Sequence, residues 1–329
     1  MKFLIAGYGS VGRRHMRNLL ALGEKDIILY RTRQSTLPAD ELVGFAVETD
    51  LQAALDHHPD AVIVANPTAL HMDVAIPSAK LGCDILLEKP ISNNLERMAE
   101  LKQALKSGGG ELLVGFQFRF HPCFKKIAAL IQEGAIGTLL SARAHYGDYM
   151  PGWHPWEDYR KAYSSRDDLG GGAVLTLCHP LDYLRWLLGE VSSIWAYTGK
   201  ISDLDIQVDD VGEIIMQFSN GAIASAHLDY YQQPPSYRFE VIGTQGTVSW
   251  DAADNIARLY RASTKAWESF PAPPGFDRND MFLDEMRHFR DIVDGKASPS
   301  CTLADGERVL QLALASRESS RSGKRIDLI

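Results

Sequence analysis

The sequence predicts an α/β fold in which a parallel-sheet domain, residues 1–118, precedes an α+β domain, residues 119–329, with a large, mainly antiparallel open sheet. Up to about residue 118, short apolar runs alternate with helical patterns, which favours right-handed strand–helix–strand units. Beyond that point the segments are longer and alternate apolar with polar residues, as antiparallel strands do. The 329 residues, 45% of them hydrophobic, suffice for a core in each domain.

The first domain is predicted to contain five strands separated by four helices. The predicted strands are Lys2–Ala6, Asp26–Tyr30, Ala61–Ala65, Asp84–Leu87 and Leu112–Gly115. The predicted helices lie near residues 11–22, 51–57, 70–81 and 94–107. A glycine-rich turn follows the first strand, so this order predicts a dinucleotide-binding half-fold that is extended by further units.

The second domain is predicted to begin with a helix near residues 122–133 and to end with two helices, Met281–Asp294 and Ala304–Ser319. Its predicted strands are Leu139–Tyr146, Val191–Thr198, Asp210–Phe218, Ala222–Tyr230, Tyr237–Gly243 and Gly246–Asp251. Turn signals such as Ser219-Asn220-Gly221 separate these strands. The segment 147–172 is rich in Trp, Tyr, Pro and charge, and we expect it to line a ligand cleft.

Composition excludes several classes of partner. The net charge of −8 and the pI of about 5.7 argue against nucleic acid or an anionic membrane as the main partner, because both favour clustered Lys and Arg. No apolar run approaches membrane-spanning length, and we expect a cytoplasmic protein. The four cysteines are widely scattered and show no metal-site spacing, so we predict no metal.

The first strand runs directly into a Gly-x-Gly-x-x-Gly motif that opens a helix. In this context the glycine backbone can approach a pyrophosphate, which then lies at the helix N-terminus. We therefore predict dinucleotide binding by Gly7, Gly9, Ser10, Val11 and Gly12. The alternative is a tight turn without a ligand.

The end of the second strand predicts which dinucleotide binds. An NAD enzyme usually presents Asp or Glu to the ribose diol at this point. Here the chain offers Arg31, Thr32 and Arg33 instead, and these suit a 2′-phosphate. NADP is therefore the predicted cofactor and NAD the second possibility, whereas solvated loop arginines are the alternative.

A further turn follows the third predicted strand. Asn66, Pro67, Thr68 and His71 follow the third strand, and we expect them to flank the nicotinamide ribose. For His71, capping or packing on the next helix is an equal alternative.

A lysine stands at the end of another apolar run, in Glu88-Lys89-Pro90. Pro90 stiffens this turn, and a lysine held there can take part in proton chemistry. We predict that Lys89 is catalytic and contacts both substrate and cofactor. Glu88 is predicted to contact the cofactor beside it.

After three glycines, Gly170–Gly172, an apolar run to Leu187 predicts a single helix. His179 and Asp182 interrupt its apolar character, and they lie on one face. A carboxylate that fixes the tautomer of an imidazole lets the imidazole exchange a proton with a substrate hydroxyl. A satisfied core histidine is the alternative for His179.

Together these motifs resemble one known family. They are Gly7-Tyr8-Gly9-Ser10-Val11-Gly12-Arg13-Arg14-His15, then Glu88-Lys89-Pro90, then Gly170 through His179 to Asp182. The order resembles the glucose-fructose oxidoreductase and inositol dehydrogenase family, Gfo/Idh/MocA, over essentially the whole length. The resemblance implies a Rossmann domain, an open-sheet domain and homodimers or homotetramers built through that sheet. It also implies NAD- or NADP-dependent chemistry on a hydroxyl or carbonyl carbon, mostly of sugars and cyclitols.

Carried over by position, the resemblance implies that Lys89 polarises the reacting oxygen, His179 acts as acid or base, and Asp182 supports it. The chain departs from the family at Thr176, because relatives often carry Asp one turn before this histidine. Threonine can bind a sugar hydroxyl but holds no charge near neutral pH. Either Lys89 and His179 suffice, or the reaction differs from polyol oxidation. Arg119 is predicted to bind an anionic substrate, with a structural salt bridge as the alternative.

The predicted reaction is reversible hydride transfer between nicotinamide and a secondary alcohol or carbonyl carbon of a sugar or sugar derivative. Stacking faces, hydroxyls and positive charge suit a polar sugar bearing a carboxylate or phosphate. The further substrate-binding residues predicted on this basis are Tyr146, Trp153, His154, Arg160 and Tyr163. Two alternatives stand beside it: an NAD-dependent glycosidase of the same family, and a non-catalytic dinucleotide-sensing regulator.

Overall fold

The computed structural model describes residues 1–32, 37 and 40–328. The chain divides into two compact units. The first comprises Met1–Gln117, Asp168–Gly170 and Arg278–Leu310, and the second comprises Phe118–Asp167, Gly171–Asp277 and Gln311–Ile329.

The described residues form nine α-helices. They are α1 (Ser10–Ala21), α2 (Leu51–Leu55), α3 (His71–Lys80), α4 (Met98–Gly108), α5 (Pro122–Gln132), α6 (Ala173–Thr176), α7 (His179–Leu188), α8 (Arg278–Val293) and α9 (Leu303–Ser322). Local chemistry explains several helix ends. The residue after α4, Gly109, adopts a left-handed conformation with φ of 84°, and the His121 side chain accepts a hydrogen bond from the Cys123 N–H at the start of α5. No described helix is both long and apolar enough to cross a membrane.

The first unit contains a six-stranded parallel sheet. Its strands are β1 (Lys2–Ala6), β2 (Asp26–Tyr30), β3 (Ala46–Glu48), β4 (Ala61–Val64), β5 (Asp84–Glu88) and β6 (Leu112–Gly115). Their order in the sheet is β3-β2-β1-β4-β5-β6. The residues of β4 and β6 are all buried, as strands covered on both faces require. The parallel sheet is confirmed. The strand β3 was not predicted, because it has only three residues and its two apolar residues are exposed.

The second unit contains a nine-stranded sheet. Its strands are β7 (Leu139–Gly147), β8 (Val191–Gly199), β9 (Val211–Phe218), β10 (Ile223–Asp229), β11 (Ser236–Gly243), β12 (Gly246–Asp251), β13 (Ile256–Arg261), β14 (Ala266–Pro271) and β15 (Ile326–Asp327). Their order is β14-β13-β12-β11-β7-β10-β9-β8-β15, and only β7 and β10 pair in parallel. The mainly antiparallel sheet is confirmed. The edge strands β14 and β15 and the strand β13 beside β14 were not predicted, and the mostly exposed β14 offers no buried apolar face to detect.

The largest difference from the predicted domain division is one helical segment near the C-terminal end. Residues 119–329 are the predicted second domain, but Arg278–Leu310 belongs to the first unit, as does the short stretch Asp168–Gly170, while Phe118 belongs to the second unit. The reason is the apolar face of α8. On this face Phe289 packs against Phe3 with ring centroids 6.4 Å apart, and Phe282 meets the ring of His15 edge-on at 6.3 Å.

Candidate functional site

Three loops of the first unit leave the same edge of the parallel sheet. Gly7 follows β1, Asn66 lies two residues beyond β4, and Lys89 follows β5. Because these strands are parallel and adjacent, their carboxyl ends share one edge. In open sheets with this strand order, ligands bind in the crevice beyond that edge, where the order reverses beside β1.

The glycine turn is fixed by close backbone packing. Gly7 has φ of +100°, and a Cβ there would lie 2.6 Å from the Asn66 nitrogen. A Cβ on Gly12 would lie 2.0 Å from the Gly7 carbonyl oxygen, so both positions exclude a side chain. Gly9 differs, because a Cβ there would meet nothing within 4 Å. Space over Gly9 is what a ligand that approaches the backbone needs.

The N-terminus of α1 suits an anion. Gly9 precedes the helix and provides no capping side chain, and the first turn, which begins with Ser10 and Val11, contains no acidic residue. The N–H groups of this turn and the positive end of the helix dipole favour a phosphate. The residues present therefore fit a pyrophosphate.

Two of the three residues predicted to bind a 2′-phosphate lie in the described part of the chain. The Arg31 guanidinium lies 5.4 Å from the Tyr8 ring centroid, beside the glycine turn. The Nε of Arg31 is buried and has no hydrogen-bond partner within the described chain. Thr32 is exposed, and Arg33 lies outside the described residues, so its role stays a prediction.

Hydrogen bonds within the turn itself hold the conformation around Asn66. The Asn66 side chain donates to the Leu70 carbonyl at 2.9 Å, and the Asn66 carbonyl lies 3.0 Å from His71 Nε2. His71 is buried, and burial holds the pKa of this imidazole below its ordinary value, so the neutral ring donates its N–H to Asn66. The structure therefore shows the packing alternative for His71. Thr68 is buried as well, while Pro67 is half-buried, and any contact of this turn with a cofactor stays a prediction.

Lys89, the residue predicted to be the catalytic lysine, is partly exposed. Lys89 precedes a cis peptide bond to Pro90, and its backbone N–H donates to Glu88 Oε2 at 3.2 Å. Glu88, predicted to contact the cofactor, is buried, and its Oε1 lies 2.8 Å from His15 Nε2. The structure thus shows Glu88 as a buried partner of His15, and its contact with a cofactor stays a prediction.

Sequence reasoning missed a second buried carboxyl group near Glu88. Glu285 lies on α8, and one of its carboxyl oxygens, one ring nitrogen of His15 and one carboxylate oxygen of Glu88 lie within 4.8 Å of one another. The detectable signal was a glutamate on the apolar face that Phe282 and Phe289 share.

In the second unit, the predicted helix around the histidine is broken. The run from Ala173 forms α6 and α7, and His179 is the first residue of α7. Pro180 explains the break, because proline is tolerated in the first turn of a helix but not in its interior. His179 is consequently held at a helix N-terminus, where it is buried.

Aromatic rings surround this histidine. Its ring centroid lies 5.2 Å from that of Phe118 and 5.7 Å from that of Tyr146, a predicted substrate residue. Tyr146 in turn packs on Tyr237, whose hydroxyl donates to Asp148. The structure thus brings together two predicted residues, His179 and Tyr146, within one unit.

Asp182 and Arg119 form a buried, two-pronged ion pair. Arg119 Nη2 donates to Asp182 Oδ1 at 2.6 Å and Nε donates to Oδ2 at 3.1 Å, with side chains only 6% and 1% exposed. The structural salt bridge is therefore the alternative that the structure shows for Arg119. The roles of Asp182 in catalysis and of Arg119 in substrate binding stay predictions.

In the aromatic segment after β7, Trp153 and His154 border an open depression. Arg160 is exposed and held by Asp158, and its hydrogen bonds lower the pKa of that carboxyl to about 2. Tyr163 begins a single 3₁₀ turn, and its role in substrate binding stays a prediction, as do those of the other three predicted residues in this segment.

Thr176, the residue that departs from the family pattern, ends α6. It is buried, and it lies beside the hydroxyl of Tyr230. Its predicted contact with a substrate is not tested by this geometry.

Two family models match the chain. Residues 1–116 match the oxidoreductase family with an NAD-binding Rossmann fold, and residues 124–249 match the GFO/IDH/MocA C-terminal domain. The chain belongs to the GFO/IDH/MocA family. Its first unit is accordingly an NAD-binding Rossmann domain, and the family is one of oxidoreductases.

Relatives within the GFO/IDH/MocA family match over the full length. The chain is 27% identical to myo-inositol 2-dehydrogenase of Thermotoga maritima, with 100% of this chain and 98% of that protein covered. It is 24% identical to D-xylose 1-dehydrogenase (NADP(+)) 2 of Haloferax volcanii, with full coverage of both. The solved structure of levoglucosan dehydrogenase in complex with NADH and L-sorbose shares its fold, with TM-score 0.87, 23% identity and coverage of 100% and 99%.

The buried ion pair predicts a strong effect of Asp182→Asn on stability. The substitution leaves the Arg119 charge buried without its counter-ion, which costs about 3–5 kcal/mol. Asp158→Asn, which removes a half-exposed partner of the exposed Arg160, is the matched control and should leave the unfolding midpoint unchanged. Denaturant unfolding of both variants measures the difference. Equal midpoints would contradict a structural role for the Arg119–Asp182 pair.

Proposed function

We propose that this protein is an NAD(P)-dependent dehydrogenase that transfers a hydride between nicotinamide and a secondary alcohol or carbonyl carbon of a sugar or sugar derivative. The observation that carries the proposal is the position of Lys89. It follows β5 at the sheet edge where the glycine turn follows β1, two strands away. The names of the inositol and xylose relatives support a polyol or sugar as substrate.

The cofactor would be held by the glycine turn and α1. Open space over Gly9 and the uncapped N–H groups at Ser10 and Val11 support binding of the pyrophosphate there. When bound, the nicotinamide supplies or accepts the hydride, and the protein positions it.

Lys89 would act on the reacting oxygen. Its ammonium group, held on a stiff turn, stabilises the negative charge that develops when a hydroxyl loses its proton. The backbone hydrogen bond from Lys89 to Glu88 supports this role, because it anchors the base of the side chain.

His179 would exchange the proton of the substrate hydroxyl. Its place at the start of α7 and its ring contacts with Phe118 and Tyr146 support this role, because they restrain the imidazole. A positioned imidazole contributes about 100- to 10,000-fold to such a proton transfer.

NADP is the cofactor that we propose. The buried Arg31 Nε, without a hydrogen-bond partner among the described residues, supports an additional anionic partner beside Tyr8. A 2′-phosphate supplies such a partner, whereas a ribose diol does not.

We also propose that a second copy of the chain covers the open face of the C-terminal sheet. Large apolar side chains, Trp195 and Ile215, lie opposite each other on β8 and β9, and both are exposed in the single chain. Light scattering of wild type and Ile215→Glu tests this, with an oligomer expected for the first and a smaller species for the second. A monomeric wild-type protein would contradict it.

The central experiment is a substrate panel. The purified protein is assayed with cyclitols, aldoses and sugar acids, and the formation of NADPH and NADH is followed. We expect turnover of at least one compound, and loss of about 100-fold or more in kcat for Lys89→Met, because a group that stabilises the developing charge is removed.

Lys106→Met, which removes an exposed lysine from α4, is the matched control for this panel and should behave as wild type. Two results speak against the proposal: no reaction with any member of the panel in either direction, or a Lys89→Met variant as active as the control.

The cofactor preference is tested by fluorescence titration with NADPH and NADH. We expect at least tenfold tighter binding of NADPH, because a charge-assisted contact of about 1.5–3 kcal/mol corresponds to about ten- to a hundredfold in affinity. Arg31→Ala should lose this preference, and Arg287→Ala, an exposed arginine on α8, should keep it. Equal or tighter binding of NADH by wild type would refute the assignment.

A further inference from the structure

Three buried titratable side chains from three elements meet beside the catalytic lysine predicted above. His15 comes from α1, Glu88 ends β5 and Glu285 comes from α8. Their ligand atoms lie within 4.8 Å of one another. We refer to these three residues as the buried triad.

Glu285 is the unusual member of the buried triad. Its side chain is 0% exposed, and neither of its carboxyl oxygens has a hydrogen-bond partner within the described chain. Its neighbours on the same face of α8 include Phe282 and Met286, which are apolar. An ionised carboxylate in such a place would pay the desolvation cost without compensation, so a proton or a cation is required.

Glu88 has the opposite environment. Its Oε1 lies 2.8 Å from His15 Nε2, and its Oε2 accepts the backbone N–H of Lys89 at 3.2 Å. The charge of the Lys89 side chain also favours a negative charge on Glu88. His71 of α3 faces Glu88 too, but its lowered pKa leaves it neutral. These surroundings favour an ionised Glu88 and leave the required proton to Glu285.

We propose that Glu285 is a protonated carboxylic acid at neutral pH, that it donates its O–H to ionised Glu88, and that the buried triad positions Lys89 for catalysis. The broad terminal torsion of a glutamate lets the carboxyl group turn toward its acceptor. The statement about the proton stands on the geometry of the triad alone. The statement about Lys89 rests on the proposed function.

The electrostatics agree with this distribution of charge. Burial raises the pKa of Glu285 well above its ordinary value, and the nearby Glu88 raises it further. Burial would raise the pKa of Glu88 as well, but the hydrogen bond from His15 and the neighbouring charges outweigh it and lower that pKa. The single proton that the two carboxyls share therefore resides on Glu285.

A divalent cation is the competing occupant, because an imidazole and two carboxylates can also bind a metal. The 2.8 Å separation of His15 Nε2 and Glu88 Oε1 is a normal hydrogen-bond length, which favours the proton. Elemental analysis of the purified protein decides between them. A metal at one equivalent per chain, lost in Glu285→Gln, would overturn the proposal.

The protonation of Glu285 is measured directly by infrared spectroscopy of protein labelled with ¹³C-glutamate. We expect a carbonyl band of a protonated carboxylic acid at neutral pH that disappears in Glu285→Gln and persists in Glu96→Gln, an exposed control. A spectrum in which Glu285→Gln removes only carboxylate bands would overturn the proposal.

The pH dependence of stability gives a second test. Above the ordinary glutamate pKa of about 4.3, the unfolded chain releases the proton that folded Glu285 keeps, so this residue makes stability fall as pH rises toward its raised pKa. Glu285→Gln has no such proton. The melting temperature of this variant minus that of wild type should therefore increase between about pH 5 and about pH 8. A difference that does not change with pH, as expected for Glu96→Gln, would refute the proposal.

The positioning role is tested once a substrate is known. Glutamine can still donate to Glu88 and leucine cannot, so Glu285→Gln should retain at least about tenfold more kcat than Glu285→Leu, the equivalent of one hydrogen bond. We expect similar KM in both variants and a shifted pH–rate profile in Glu285→Leu. Equal kcat in the two variants would contradict the proposal that Glu285 helps to position Lys89. If wild type converts no sugar at all, the proposed function fails, while the infrared and stability tests still decide the protonation of Glu285.

Discussion

The structure depends most on the close approach of backbone at the first glycine turn. Gly12 lies against the Gly7 carbonyl, and Gly7 lies against the Asn66 nitrogen, at separations that leave no room for a Cβ. This packing brings the start of α1 and the turn after β4 against the end of β1. It also fixes α1 so that His15, one turn after Gly12, meets Glu88 at the end of β5. One steric constraint thereby sets both the position of the helix end that suits an anion and the support of the Lys89 turn.

Burial and charge then separate the roles of similar residues. His71 and Glu285 are buried with their uncharged forms favoured, whereas Glu88 is buried with partners that favour its charge. In the second unit, Asp182 is matched by the fork of Arg119. Each buried charge that lies close to a candidate catalytic residue is thus compensated by a specific neighbour. These pairs restrict the conformations that the segments can adopt.

The sequence was sufficient where short-range patterns decide the structure. The turn after β1, the Glu88–Lys89 turn and the alternation of strands and helices are local, and they predicted the fold class. The break before His179 could also have been predicted from the sequence, because Pro180 does not fit inside a continuous helix. The buried triad could not be predicted from the sequence. Its residues His15 and Glu88 are 73 positions apart, and Glu285 lies almost 200 residues further along the chain. Its assembly depends on α8 returning to the first unit, which an amphipathic pattern alone does not specify.

The central claim is that a hydride moves between the nicotinamide and a sugar carbon, and isotope transfer tests it most directly. The protein is incubated with NADPH or NADH deuterated at the nicotinamide C4 and with the oxidised form of a panel sugar, and the product is analysed by mass spectrometry. The account predicts one deuterium on the carbon that becomes the alcohol, in a one-to-one ratio with oxidised cofactor. Deuterium that stays on a tightly retained cofactor while a glycoside is cleaved, or no transfer to any sugar, would contradict it.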